Sequence, residues 1–173
     1  MSKGFTLLEL LLSITISTIL LLVVPPSLQM LVAHTECEYH SYSIQNALAS
    51  ARNHAIAINE RIVACMADDD NKCVNSNFTH LMLFIDKNAD NALTLNNQNS
   101  DIILLSNNDL SSSIKISTNR QEYVFQSDGS IAGTPGTIHV CNSINNKDNY
   151  KIIVAMSGAL FHLRVGEYFH AAK

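Results

Sequence analysis

The sequence is poor in charge, in glycine and in paired cysteine motifs, and each shortage excludes a class of function. Charged residues make up 15% of the 173 residues and the formal net charge is −4, so the chain as a whole lacks the positive charge that nucleic-acid binding uses. Its six glycines form no phosphate loop, and no nucleophile-elbow pattern is present. No Cys-x-x-Cys pair occurs, which argues against zinc. We therefore expect neither an enzyme nor a cofactor-binding protein.

Apolar residues are concentrated at the N-terminus. Residues 5–24 form an apolar run that contains a single charge, Glu9. As a helix this run would be about 30 Å long, which matches the hydrocarbon core of a bilayer. A secretory signal peptide would have a shorter apolar core and a small-x-small cleavage site. A plain single-pass anchor would fit the length but leave Glu9 unexplained.

The stretch KGFTLLE at residues 3–9 resembles the processing motif of type IV prepilins and of the pseudopilins of type II secretion. The resemblance implies a leader peptide at residues 1–4, cleavage between Gly4 and Phe5 by prepilin peptidase, and N-methylation of Phe5. It also implies that Glu9 neutralises the N-terminal amine of a neighbouring subunit during filament assembly. A buried carboxylate is costly alone and tolerable when paired.

The helical pattern continues beyond the apolar run. Pro25 and Pro26 should kink or locally melt the helix, and in pilins a proline near the position of Pro26 marks where the helix loosens in the filament. Residues 25–59 predict an amphipathic continuation that stops at Asn59. Its apolar stripe recurs at three- and four-residue spacing and comprises Ile44, Leu48, Ala51, Ala55 and Ile58.

Residues 60–173 have the pattern of a β-rich domain. Short β-branched or alternating runs are separated by clusters of Asn, Asp, Gly and Ser. The predicted strands are residues 61–66, 80–85, 102–105, 114–118, 122–126, 137–140, 150–156 and 160–165. The sequence therefore predicts an α+β fold in which a long kinked helix packs on an antiparallel β-sheet domain.

Further motifs resemble the GspH/FimT branch of minor pilins. They are ARNHAI at 51–56, RIVAC at 61–65, GTIHVC at 136–141 and IIVAMSG at 152–158. The resemblance implies a subunit that crosses the bacterial inner membrane once, with its β-domain in the periplasm, and that primes or caps a pilus or pseudopilus. The implied partners are prepilin peptidase, other major and minor pilins, and the inner-membrane assembly platform.

Two alternatives stay open, and the first is a DNA-binding minor pilin for DNA uptake. FimT-like DNA receptors carry Gly-Arg-x-Arg on the C-terminal strand, whereas residues 158–164 read GALFHLR. Neither Ala nor Phe reproduces the bidentate phosphate contact of arginine, so DNA is a less favoured partner. A weak patch would comprise Lys147, Lys151, His162 and Arg164. The second alternative is a membrane-tethered periplasmic binding domain unrelated to filaments.

The four cysteines suggest disulfides in an oxidising compartment. Cys65 and Cys73 are close in sequence, at a spacing that a strand and the loop after it can close, so we favour this pair among the three possible connectivities. Cys37 and Cys141 would then link the helix to the sheet or stay as thiols.

Asp86, Asn88 and Asp90 supply oxygens at positions 1, 3 and 5 of a calcium loop. The loop has no glycine at position 6, and Asn97 stands where a bidentate Glu belongs. An Asx-rich turn is the simpler interpretation. We therefore predict no metal site, with these three residues as the only calcium candidates.

Overall fold

A single long helix opens the structure. The computed structural model describes residues 6–76, 78–95, 100–107, 114–142 and 149–165. Helix α1 spans Leu7–Ile58 and ends at Asn59, whose backbone N–H donates to the Ala55 carbonyl. Asn59 has a left-handed φ of 54°, a conformation that asparagine tolerates at helix ends. The predicted helix end is confirmed.

The helix passes through Pro25 and Pro26 without a break. A kink requires no break in the helix, so the expectation that the two prolines kink or locally melt it stays a prediction. The side chains of residues 22–27 lie outside the described ones, so the role of Pro26 in assembly stays a prediction.

Within the described residues, eight strands follow the helix, at the eight places where the sequence predicts them. They are β1 (Ile62–Ala67), β2 (His80–Ile85), β3 (Ile102–Asn107), β4 (Ile114–Thr118), β5 (Glu122–Phe125), β6 (Gly136–Asn142), β7 (Asn149–Val154) and β8 (Leu160–Val165).

The strands form two antiparallel sheets. The first sheet has the order β3-β2-β1-β5, and the second has the order β4-β6-β7-β8. One face of each sheet packs against the C-terminal half of α1, so the helix and both sheets share one core. The helix contributes Cys37, Ile44, Ala47, Leu48, Ala51 and Ala55 to this core.

The predicted apolar stripe is largely confirmed. Ile44, Leu48, Ala51 and Ala55 are buried, but Ile58 is 43% exposed. Ile58 is the last helical residue, and the core ends one turn before it, at Ala55.

The first sheet is also covered on its other face. Every residue of β1 and β2 is buried, and a second cluster around Val63, Met82 and Phe84 lies on the side away from the helix. Cys73 and Leu93, from the loops after β1 and β2, pack against this cluster. These two loops therefore act as part of the core.

Candidate functional sites on the helix and the sheets

The start of α1 carries the acid that the sequence singles out. Thr6 is the N-cap, and its Oγ1 accepts a hydrogen bond from the Glu9 backbone N–H at 3.3 Å. Glu9 therefore lies in the first helical turn, where a negative charge interacts favourably with the helix dipole. Thr-x-x-Glu is also the capping-box pattern, so the start of the helix is marked in the local sequence. Gly4 and Phe5 lie outside the described residues.

The N-terminal half of α1 exposes a continuous apolar surface. Ten large apolar residues are each more than half exposed: Leu7, Leu8, Leu10, Leu11, Leu12, Ile14, Ile16, Ile19, Leu20 and Leu21. Leu28, Leu31 and Val32 continue this surface. Among the described residues of the helix, Cys37 is the first that is buried. At 1.5 Å per residue, about 45 Å of helix precedes it, and we call residues 7–35 the free half of α1.

The hydroxyl groups in this surface are satisfied within the helix. Ser13, Thr15 and Ser17 each donate to a carbonyl three or four residues earlier at 2.8 Å, and Thr18 donates to the Ile14 carbonyl at 3.0 Å. Such back-bonded hydroxyls need no outside partner, so they do not oppose burial in an apolar medium.

Within the part of the chain that the structure describes, no helical stretch is long and apolar enough to span a membrane.

Arg52 holds the other end of the helix to both sheets. Its Nε donates to the Gly129 carbonyl at 3.1 Å, and its Nη2 donates to the Ser157 carbonyl at 3.3 Å. Gly129 lies in the turn after β5, and Ser157 lies in the turn between β7 and β8. One guanidinium group thus connects a turn of each sheet to the helix. The sequence analysis noted Arg52 only as part of a family motif.

The residues of the predicted DNA patch do not assemble on one face. His162 Nε2 lies 3.0 Å from Ser41 Oγ on the helix, and its ring stacks at 5.3 Å on Tyr150. Arg164 pairs across the strands with Tyr150, which is buried in the shared core. His162 and Arg164 therefore belong to the face of the second sheet that meets the helix.

Lys151 belongs to the opposite face of the second sheet. It pairs with His139, which is exposed, and its neighbours along β7 are buried in the core. Lys147 lies outside the described residues. The register of β7 and β8 thus places Lys151 on the opposite face from His162 and Arg164, and DNA binding by these residues stays a prediction.

Burial also reduces the tendency of His162 to carry charge. It lowers the pKa of the imidazole below 6.5, although the nearby Glu38 carboxylate acts in the opposite direction. A ring that is neutral at neutral pH offers no cation to a phosphate group.

The Cys65–Cys73 disulfide is confirmed. Its Cα atoms are 5.5 Å apart, and it closes the loop that follows β1. Cys37 is fully buried, and its Sγ lies 3.5 Å from the carbonyl oxygen of Val140. The side chain of Cys141 lies outside the described ones, so a link between Cys37 and Cys141 stays a prediction.

The loop after β2 brings acids together, but in a different set from the predicted one. Carboxylate oxygens of Asp86, Asp90 and Asp101 all lie within 4.8 Å of one another. Asn88 instead binds within the loop, since its Nδ2 donates to Asp90 Oδ2 at 2.8 Å. Asp101 lies beyond the contiguous stretch of sequence that a calcium loop occupies, so no local pattern identifies it. Asn97 lies outside the described residues.

Comparisons with known proteins agree with this architecture. The family described as "Type II transport protein GspH" matches residues 41–158, and the "Prokaryotic N-terminal methylation motif" matches residues 1–25. No curated protein sequence matches the chain significantly.

Two kinds of solved structure share the fold. The minor pseudopilin EpsH from the Type 2 Secretion System of Vibrio cholerae is 15% identical, with a TM-score of 0.52, over 76% of this chain and 99% of that one. The type IV minor pilin FimU of Pseudomonas aeruginosa is 14% identical, with a TM-score of 0.54, over 73% of this chain and 87% of that one. At these identities the likeness concerns the fold alone. Because the GspH match covers more than half of the sequence, this chain belongs to the GspH family, and its N-terminus carries the prokaryotic methylation motif.

Proposed function

We propose that this protein is a minor subunit of a type IV pilus or type II secretion filament and has a structural, non-enzymatic role. Prepilin peptidase removes residues 1–4, Phe5 is N-methylated, and residues 5–24 hold the subunit in the inner membrane until it enters the filament. The subunit then helps to prime or cap assembly with other pilins on the inner-membrane platform. The observation that carries the proposal is the free half of α1, an apolar helix surface that follows a methylation motif and whose large described side chains are more than half exposed.

The energetics of the free half favour an apolar surrounding. The ten exposed residues from Leu7 to Leu21 each favour membrane insertion by about 0.3–0.6 kcal/mol, or about 3–6 kcal/mol together. Glu9 opposes insertion by about 3 kcal/mol on the same kind of scale. These residues therefore at least offset the cost of the acid, and pairing of Glu9 with a neighbouring amine would remove most of that cost in a filament.

The processing step is tested by the mass of the N-terminal peptide. The chain is produced in cells with and without a prepilin peptidase, and we expect loss of residues 1–4 and gain of one methyl group only when the enzyme is present. Gly4→Val is the control, since a branched side chain hinders access to the backbone at the cleavage site. An intact leader in the presence of the peptidase would leave the protein a membrane-tethered domain unrelated to filaments.

The role of Glu9 is tested by two substitutions that separate its charge from its capping. A glutamine side chain at this position can form the side-chain bond of a capping box but has no charge, whereas an alanine side chain can provide neither. If Glu9 pairs with an amine, Glu9→Gln and Glu9→Ala should both be inserted and processed but be absent from the filament fraction of host cells. Normal incorporation of Glu9→Gln together with loss of Glu9→Ala would assign Glu9 to helix capping and contradict the pairing.

A further inference from the structure

The loop between β2 and β3 combines three acids with a buried, unsatisfied oxygen. The side chain of Asp86 is fully buried, and its Oδ2 lies 3.2 Å from Arg61 Nε and accepts a hydrogen bond from the Asn91 N–H at 3.2 Å. The other oxygen, Oδ1, is buried without a hydrogen-bond partner. A buried carboxylate oxygen without a partner is costly, so the unsatisfied Oδ1 indicates that a ligand binds at this position.

Asp101 is held rigidly beside Asp86. It is 4% exposed, its Oδ1 accepts from the Lys87 N–H at 3.0 Å, and its Oδ2 accepts from the Thr94 N–H at 2.8 Å. Each of these oxygens keeps a second lone pair. The backbone therefore fixes the carboxylate in place without using its full capacity to bind a cation.

Asp90 closes the group from the solvent side. It is exposed, and its Oδ1 accepts from the Ala92 N–H at 2.8 Å. Because its carboxylate lies within 4.8 Å of the other two, an ion from solution would reach the buried oxygens past Asp90.

From this geometry we propose that Asp86, Asp90 and Asp101 bind one calcium ion. The three carboxylates and Arg61 carry a net charge of −2, which a divalent cation neutralises. The grouped donors are all oxygens, which suits calcium and not zinc. Calcium also tolerates irregular coordination by carboxylates and loop carbonyls, whereas magnesium requires near-ideal octahedral geometry.

A bound ion would stabilise the cover of the first sheet. The loop that holds Asp86 and Asp90 also carries Leu93, which packs against the Phe84 cluster on the face away from the helix. Calcium would tie both ends of this loop together through Asp86 and Asp101. The ion is thus expected to have a structural role in the β-domain, independent of N-terminal processing.

The test is calcium binding by the full-length chain in a mild detergent after chelator treatment, measured by equilibrium dialysis with radioactive calcium. We expect about one ion per chain with a dissociation constant on the order of 10⁻⁴–10⁻³ M, as in extracellular modules. Asp90→Asn is the main variant because its exposed position makes misfolding improbable, and it should weaken binding at least about tenfold. Asp69→Asn removes an exposed acid from the separate Asp68–Asp70 loop and should bind as the unmodified chain does.

A second readout is the unfolding temperature with calcium and with magnesium. Calcium should raise it in the unmodified chain and in Asp69→Asn, with a much smaller rise in Asp90→Asn, and magnesium at equal concentration should have little effect. Absence of binding at several times 10⁻³ M calcium would overturn the proposal and leave Asp86 with Arg61 alone. Unchanged binding by Asp90→Asn would overturn it as well, because the ion would then lie elsewhere.

Discussion

Substitution of Gly158 by alanine should be among the most damaging single changes in the β-domain. Gly158 lies in the turn between β7 and β8 with a φ of +73°, and an added Cβ would lie 1.9 Å from the Gly129 carbonyl oxygen. It would also lie 2.8 Å from Arg52 Nε, which donates to that same oxygen. Since the Ile131 N–H donates to the Met156 carbonyl at 2.8 Å, the two turns are fixed against each other and neither can move alone.

Two terms contribute to the expected loss of stability. The left-handed conformation costs an alanine about 1–2 kcal/mol. Forced separation of two packed backbone segments adds about 1–3 kcal/mol. We therefore expect the free energy of unfolding to fall by about 2–5 kcal/mol, a substantial fraction of the roughly 5–15 kcal/mol that stabilises an ordinary domain.

Gly133→Ala is the matched control. Gly133 has a φ of +92°, but the nearest atom to its added Cβ would be Arg120 Nη2 at 3.0 Å, at the end of a flexible side chain that can move. This substitution should cost only the conformational term of about 1–2 kcal/mol. The assay is urea unfolding of both full-length variants in detergent. Unfolding is monitored by the near-ultraviolet circular dichroism of the buried tyrosines, because the chain has no tryptophan. Equal losses in the two variants would refute the argument from close approach.

Two further predictions concern the disulfide and the half-buried His162. Cys65 and Cys73 are eight residues apart, and reduction of their disulfide should lower the free energy of unfolding by about 2–3 kcal/mol because the unfolded chain gains entropy. The double variant Cys65→Ser, Cys73→Ser should not respond to reductant. An equal response in this variant would assign the effect to other cysteines. Burial lowers the pKa of His162 in the folded chain from 6.5. Just below pH 6.5 the unfolded chain therefore binds more protons at this residue than the folded chain does. Stability that is present above this pH should be lost as the pH falls. His162→Gln should therefore show a smaller drop in unfolding temperature between about pH 7.5 and pH 5.5; an equal drop would exclude His162 as the cause.

Local features of the sequence were sufficient to place the helix and every strand. The helix end at Asn59 combines an apolar stripe with a residue that tolerates a left-handed conformation. The strands are short β-branched runs between Asx-rich turns, so type and position are both encoded nearby. The short disulfide could be predicted for the same reason, since Cys65 and Cys73 are joined by a single loop.

Features that depend on strand pairing could not be predicted. The partners of Arg52 lie 77 and 105 residues away, and Asp101 joins Asp86 only because β2 and β3 pair in the first sheet. The basic residues near the C-terminus looked like one patch, but pairing of β7 with β8 places Arg164 beside Tyr150 and Lys151 beside Leu163, on opposite faces. A shift of one residue in register would reverse these faces, and nothing in the local sequence determines it.

Under the proposed function, the division of α1 at Cys37 separates assembly from folding. The large apolar side chains from Leu7 to Leu21 are more than half exposed, so their substitution should leave the stability of the β-domain unchanged and act where the surface meets lipid or other subunits. Substitutions at buried positions such as Leu48 and Ala51 remove core contacts and should lower stability whether or not a filament is present. Residues 5–35 contain one acidic residue, Glu9, and one basic residue, His34. Under the proposed function, replacement of Glu9 therefore tests the interaction between subunits without disturbing the fold of the β-domain.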